Sequence, residues 1–177
     1  MDRTGRFEAL FRAHAGAVRT YVCRRCGTDA ADDVVADVFV VAWRRLDDVP
    51  DDPVPWLLGV ARKVLANRRR GEARQHAVLG RMSSEPQEAM PASGAQPDFG
   101  EPVLRVLSSL RERDREALLL VAWEGLSAAQ ASKVLGLSSN AFAARLSRAR
   151  RRFAVALAAE SGPPAQQPRS AGGAVLR

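Results

Sequence analysis

Phe7, Leu10, Phe11, His14, Val18 and Tyr21 recur at spacings of three and four, the period of one helix face, and predict a first amphipathic helix. Val34, Val35, Val38, Phe39, Ala42, Trp43 and Leu46 repeat the pattern, with Asp29 or a neighbour available to start a second helix. Prolines at 50, 53 and 55 then interrupt the period and exclude a continuous helix through Asp47–Pro55. The period resumes at Trp56, Leu57, Val60, Ala61, Val64 and Leu65 and ends in Arg68-Arg69-Arg70-Gly71. From about Gln75 to Gly100 it disappears. Gly, Ser, Pro, Gln and Ala dominate there, and so few large apolar side chains cannot offset the entropy lost on ordering. Helical periodicity returns from about Glu101 to Ala159, and the tail beyond, with Pro163-Pro164, Gln166-Gln167 and Gly172-Gly173, reads as disordered. The expected organisation is therefore all-α. Two small helical domains, 1–74 and 101–159, are joined by a flexible linker over 75–100 and followed by a tail over 160–177.

Composition supports packed domains. Hydrophobic residues make up 46% of the 177, and with aromatics at only 6% the core must be built from Ala, Val and Leu, an alphabet that favours helices. No stretch approaches the roughly 18 uncharged apolar residues of a membrane span, so no membrane insertion is expected. Nor does an apolar signal-peptide core follow Met-Asp-Arg-Thr-Gly-Arg, which points to a cytoplasmic protein. Two cysteines cannot staple a fold of this size and suit a reducing compartment. Lys+Arg 27 against Asp+Glu 20 leaves a net charge of +7, which favours a polyanionic partner, nucleic acid before membrane.

The most informative segment is Leu126–Asn140. Ser127 can cap a short helix whose apolar face is Ala131, Val134 and Leu135; Gly136 permits a sharp turn; and Ser138 or Ser139 can cap the next helix, with Phe142, Leu146, Ala149 and Phe153 inward. This is the spacing of a helix-turn-helix, in which the first helix braces and the second enters the major groove. Ser127, Ser139, Asn140, Ala143, Ala144, Ser147, Arg148 and Arg151 are the DNA-facing candidates. The cluster Arg145, Arg148, Arg150, Arg151 and Arg152 would neutralise phosphates at the far end.

The first unit opposes two charges. Eight Asp and two Arg lie between Asp29 and Asp52, whereas six Lys/Arg and one Glu lie between Arg62 and Arg74. Arg62, Lys63, Asn67, Arg69 and Arg70 project opposite an apolar stripe and could track a phosphate backbone. Asp33 and Asp37 lie one turn apart, with no third residue at metal-ligand spacing, so no metal is expected. Cys23-Arg24-Arg25-Cys26 could gain at most His14 and His76 as further ligands; core cysteines are favoured over a zinc site, and over redox sensing through thiols that the arginines would activate. No nucleophile–base pair, acid dyad or phosphate-cradling glycine loop supports an enzyme, and no cofactor is implied. The alternative to be weighed is a stand-alone helix-turn-helix regulator. It would leave the Asp33–Trp43 helix and the Asp/Pro loop without a task.

Three stretches resemble one family. Asp32-Asp33-Val34-Val35-Ala36-Asp37-Val38-Phe39-Val40-Val41-Ala42-Trp43, Pro55-Trp56-Leu57-Leu58-Gly59-Val60-Ala61-Arg62-Lys63, and Leu110–Phe153 with Glu124-Gly125-Leu126-Ser127 are similar, in that order, to bacterial RNA polymerase sigma factors of the extracytoplasmic-function group of the sigma-70 family. The resemblance implies that the first unit is region 2 and the second region 4, together binding core RNA polymerase and promoter DNA. The Asp33–Leu46 helix, with Asp33, Asp37, Val41 and Arg44, would dock on a coiled coil of the largest polymerase subunit, and the second unit would meet the flap of the second largest. The loop with Asp47, Asp48, Asp51 and Asp52, together with the helix from Trp56, would capture the −10 element as it melts. The second unit would read the −35 element as duplex, and the linker would thread the polymerase between them. An anti-sigma protein is a further partner that the resemblance leaves open. Ala36 stands where Gln is frequent in the family, Lys63 and Asn67 where Asn and Asp are common, and Phe142-Ala143-Ala144 where a Val-(Lys/Arg)-Ser triplet is typical.

Overall fold

The computed structural model describes residues 2–79 and 100–160. Of the linker expected over 75–100, residues 80–99 lie outside the described residues, as do residues 161–177 of the tail expected from 160. Among the described residues seven α-helices form: α1 (Arg3–Cys26), α2 (Ala31–Arg44), α3 (Pro53–Leu79), α4 (Gly100–Ser109), α5 (Glu112–Ala122), α6 (Ala128–Leu135) and α7 (Ser139–Glu160), with a 3-10 turn at Leu46–Asp48. None of them is long and apolar enough to cross a membrane.

Local chemistry sets the boundaries. The Asp2 carboxylate accepts from the Gly5 amide at 2.8 Å and starts α1; Gly27, with φ of 78°, ends it. Of the expected candidates for starting α2, it is Ala30, next to Asp29, that occupies the cap and offers no side-chain bond, while Asp32 and Asp33 in the first turn supply the negative charge that a helix N-terminus favours. Pro53 and Pro55 lie in the first turn of α3, where no helical donor is lost, so this helix starts three residues before Trp56. At its other end it runs on to Leu79, past the expected boundary at 74, because no proline or glycine follows Gly71 until Gly80.

In the first bundle, Val18, Tyr21 and Val22 of α1 meet Val34, Val38 and Ala42 of α2 and Leu57, Leu58, Ala61 and Leu65 of α3. In the second, Ala117 and Leu120 of α5 meet Ala131 and Val134 of α6 and Phe142 and Leu146 of α7. These side chains form one continuous apolar cluster, because α3 packs directly on α6. The sequence pattern had no means of showing this contact.

Tyr21, the single tyrosine, is fully buried and its hydroxyl has no hydrogen-bond partner among the described residues; the Arg25 guanidinium lies 3.4 Å above its ring. Burial pushes its phenol up to about 12 from 10. The folded state therefore holds the proton more tightly than the unfolded state, so this contribution to stability is intact below pH 10 and is lost as pH rises toward 12. Tyr21→Phe removes both the orphaned hydroxyl and the titration. It is expected to stabilise the protein by about 1 kcal/mol at neutral pH and to flatten the alkaline fall, as read by urea midpoints with an unchanged slope. A destabilised variant would contradict the orphaned hydroxyl.

Candidate polymerase and promoter interfaces

The helix-turn-helix is built by three local devices. Ser127 Oγ accepts from the Gln130 amide at 3.2 Å while Gln130 Oε1 accepts from the Ser127 amide at 3.1 Å, a complete capping box for α6. Gly136 adopts the left-handed conformation at φ 63°, and the amides of Gly136 and Leu137 return to the carbonyls of Lys133 (3.1 Å) and Ser132 (2.9 Å), closing α6 as a Schellman motif. Ser138, one of the two expected caps, accepts from the Ala141 amide at 3.2 Å and starts α7. Phe142, Leu146 and Ala149 are buried, which leaves Ser139, Asn140, Ala143, Ala144, Ser147, Arg148 and Arg151 exposed. Ser127 is exposed too, but its hydroxyl is committed to the cap.

The arginine cluster is smaller than expected. Arg148, Arg150 and Arg151 are exposed, whereas Arg145 is half-buried and Arg152 pairs with the buried Asp114 of α5. Arg152 therefore fastens α7 to α5 rather than meeting phosphates. Asp114 lies 38 positions away in sequence, and nothing in the local pattern marks it as the partner.

On α2, Asp33, Asp37 and Arg44 share an exposed face. Val41, grouped with them by the family resemblance, is half-buried; the intervening position on that face is Val40, 47% exposed, as spacings of four, three and four require. Beside it lies an aromatic cluster: Phe11 and Phe39 rings are 4.7 Å apart and Phe7 and Trp43 rings 5.2 Å, both edge-on, with Phe11 and Trp43 partly open to solvent. Phe11 belongs to the apolar face of the first helix. It sits at the bundle edge and extends the apolar part of this surface.

The Asp/Pro loop is more engaged than its composition suggests. Asp47 takes ion pairs from both Arg3 and Arg6 at 3.2 Å, Asp48 is paired with Arg45 at 2.8 Å, and Asp52 accepts from Gln130 Nε2 at 3.1 Å. Asp51 is exposed and, with Arg6, His14, Leu46 and Val49, lines an open cleft of about 350 Å³ between the loop and α1. Arg6 and His14 are the cleft residues that sequence reasoning did not assign.

On α3, Lys63, Asn67, Arg69 and Arg70 are exposed, and Asn67 accepts a hydrogen bond from Arg70. Arg62 is half-buried and not free: it holds Glu116 with two hydrogen bonds, at 2.6 and 3.1 Å, which raise the guanidinium's proton affinity above its ordinary value. Arg69 pairs with Glu112 at 3.5 Å. At the far end of α1, Arg24 and Arg25 reach Glu124 at 2.9 and 2.8 Å, and Arg24 also lies over the Trp123 ring at 5.5 Å. The sequence reading gave the carboxylates of Glu112 and Glu116 no partner and quoted Glu124 only within the family motif; the i, i+4 spacing of the first two is the one local signal they carry.

The two cysteines are free thiols, Cys23 buried and Cys26 half-buried. Burial pushes the Cys26 thiol up, opposite to the activation that flanking arginines suggested, and those arginines are already engaged by Glu124. Among the described residues no group of three or more His, Cys, Asp or Glu is placed to hold a metal ion.

Known proteins share this arrangement. The family model for Sigma-70 region 2 matches residues 10–75, and that for Sigma-70, region 4 matches residues 100–153. The RNA polymerase sigma factor CnrH of Cupriavidus metallidurans is 34% identical over 144 residues, covering 73% of this chain and 74% of the relative. The structure of CnrH in complex with the cytosolic domain of CnrY superposes with a TM-score of 0.53 at 30% identity, over 85% of this chain and 86% of that one. The sigma factor RpoE of Bartonella quintana, in complex with the anti-sigma factor NepR, gives a TM-score of 0.63 over 85% of this chain and 96% of that one, and at 24% identity it shows the fold. Region 2 and region 4 thus stand in order on one chain, and the chain belongs to the extracytoplasmic-function group of the sigma-70 family, the factors that bind RNA polymerase and direct it to promoters.

Proposed function

We propose that the promoter is divided between three surfaces of this chain. The exposed face of α7, with Asn140, Ala143, Ala144, Ser147, Arg148 and Arg151, reads the −35 duplex in the major groove, while Ser127 and Ser139 lie near the backbone at the helix starts. The Asp47–Pro55 loop and the cleft beside it receive one unstacked base of the −10 element, and Lys63, Asn67, Arg69 and Arg70, with Arg62, hold the strand. Carboxylate and carbonyl acceptors suit the exocyclic amino group of cytosine or adenine. Because Asp47, Asp48 and Asp52 are already paired, Asp51 is the loop carboxylate best placed to accept from it. The α2 face, Asp33, Asp37, Val40 and Arg44 with the neighbouring aromatic edge, docks on the coiled coil of the largest polymerase subunit, and region 4 docks on the flap of the second largest. Relatives of this fold are seen bound to anti-sigma partners, and an anti-sigma protein is proposed as a further partner here.

The observation that carries this reading is the division of α7: three buried apolar positions hold the helix down while every candidate base-reading position is exposed. Arg148 is the only long donor near the middle of that face, since Ala143 and Ala144 replace larger residues. Arg148→Ala is expected to lower holoenzyme transcription by about 1–3 kcal/mol equivalent on the preferred −35 element, and by much less on promoters altered at the contacted base. An equal loss on every −35 sequence would make Arg148 a phosphate clamp and overturn its base-reading role.

A further inference from the structure

The Asp47–Pro55 loop is fastened from outside the cleft it borders. Arg3 and Arg6 stand one turn apart on α1, and each donates to its own oxygen of Asp47: Arg3 Nη1 to Oδ2 and Arg6 Nη1 to Oδ1, both at 3.2 Å. Their second nitrogens take backbone carbonyls, Arg3 Nη2 that of Trp43 at 2.6 Å and Arg6 Nη2 that of Leu46 at 3.5 Å. Trp43 lies in the last turn of α2, where carbonyls lack helical donors and cations are favoured. The turn that carries the two arginines is itself held by Asp2, whose carboxylate accepts from the Gly5 amide. The start of α1 is thus tied to the point where α2 gives way to the loop.

The cleft has two walls, α1 with Arg6, Leu10 and His14, and the loop with Val49, Pro50 and Asp51. Arg3 and Asp47 line neither wall, whereas Arg6 and Leu46 belong both to the cleft and to the tie. One edge of the cleft is therefore set by a network whose centre, Asp47, a base in the cleft does not touch. The pairs are too open to hold the bundle together. The side chains of Arg3 and Arg6 are 46% exposed and that of Asp47 73%, and ion pairs so exposed add little to stability. What they fix is the conformation of the loop, and a loop fixed before binding grips a ligand at a lower ordering cost and with better aim. We propose that Arg3, Arg6 and Asp47 are positioning residues for −10 recognition. They hold Asp51 at the distance from α1 at which the cleft discriminates between bases, so the first turn of α1 is part of the promoter-reading machinery. The proposal rests on the reading of the loop as the receiver of an unstacked base.

Holoenzyme at saturating core polymerase, transcribing promoters that carry each base in turn at every −10 position, tests this, with urea unfolding of the free chain alongside. Arg3→Ala is the decisive variant, because Arg3 does not border the cleft and reaches the base only through Asp47 and the Trp43 carbonyl. Asp47→Asn is expected to lower the preference for the favoured base at one −10 position about fivefold, and Arg3→Ala to lower it at the same position. Preferences at the remaining −10 positions, the −35 preference and the urea midpoint are expected to stay unchanged. Arg3→Ala added to Asp47→Asn should cost less than Arg3→Ala alone, because both break one tie. Arg19→Ala, which breaks the exposed pair with Asp32 further along α1, is expected to change none of these. Unchanged base preference in Arg3→Ala and Asp47→Asn overturns the proposal. So does a loss equal at all −10 positions, a loss that follows a lowered urea midpoint, or fully additive losses. Asp51→Asn separates the two possible failures. If it lowers the preference where Arg3→Ala and Asp47→Asn do not, the positioning role alone fails; if it too leaves the preference intact, the reading of the loop as receiver of a base fails with it.

Discussion

Replacing both Asp33 and Asp37 by Arg is expected to cost at least tenfold in affinity for core polymerase, about 1.4 kcal/mol or more, and to abolish transcription at limiting factor concentration. The two carboxylates share the exposed face of α2 with Val40 and Arg44, and the bundle beneath is held by Val34, Val38 and Ala42 on the opposite side. The substitution therefore leaves the core intact and changes only what a partner meets. An acidic helix is repelled by phosphates, so this face is unsuited to DNA, and reversing its charge places like charges against any basic surface that fits it. Strand binding by the free protein should not fall. Titration of labelled protein with core polymerase gives the result directly, and an unchanged dissociation constant would move the docking site to another surface.

Phe142→Ala is expected to be the most damaging single change to region 4. The ring is fully buried where α5, α6 and α7 converge, and its removal costs about 3–5 kcal/mol, a large share of what a small domain holds in reserve. Dependence on the −35 element should disappear while region 2 stays folded on Val18, Tyr21, Val38, Leu57 and Leu65. Two melting transitions in place of one would report the uncoupling. A variant that keeps wild-type stability would show that α7 is not anchored through this ring.

These expectations draw unequally on sequence. The helix-turn-helix was legible residue by residue, because its determinants are local: the Ser127 cap, the left-handed Gly136, the Ser138 cap and the inward spacing of Phe142, Leu146 and Ala149 all fall within one short segment. Val41 was grouped with Asp33, Asp37 and Arg44, whereas Val40 is the valine exposed beside them, because a single position on a helix turns the side chain by about 100°. The contact between the two regions was not legible. Arg24 and Glu124 are 100 positions apart, Arg62 and Glu116 are 54, and periodicity carries no information over such separations. The same holds for Arg152, counted with the phosphate-facing arginines until its carboxylate partner on α5 is seen. Charge counts describe how many guanidiniums exist; only the fold shows which are already paired.

Transcription in vitro with core polymerase and a library of randomised promoters tests the central claim most directly. The account predicts that the purified chain confers initiation on core enzyme and that two short sequence preferences emerge, one upstream that weakens with Arg148→Ala and one at the start-proximal melted segment that is indifferent to that change. Tight, sequence-specific duplex binding by the chain alone, with no initiation when core polymerase is added, would contradict it and favour a stand-alone regulator.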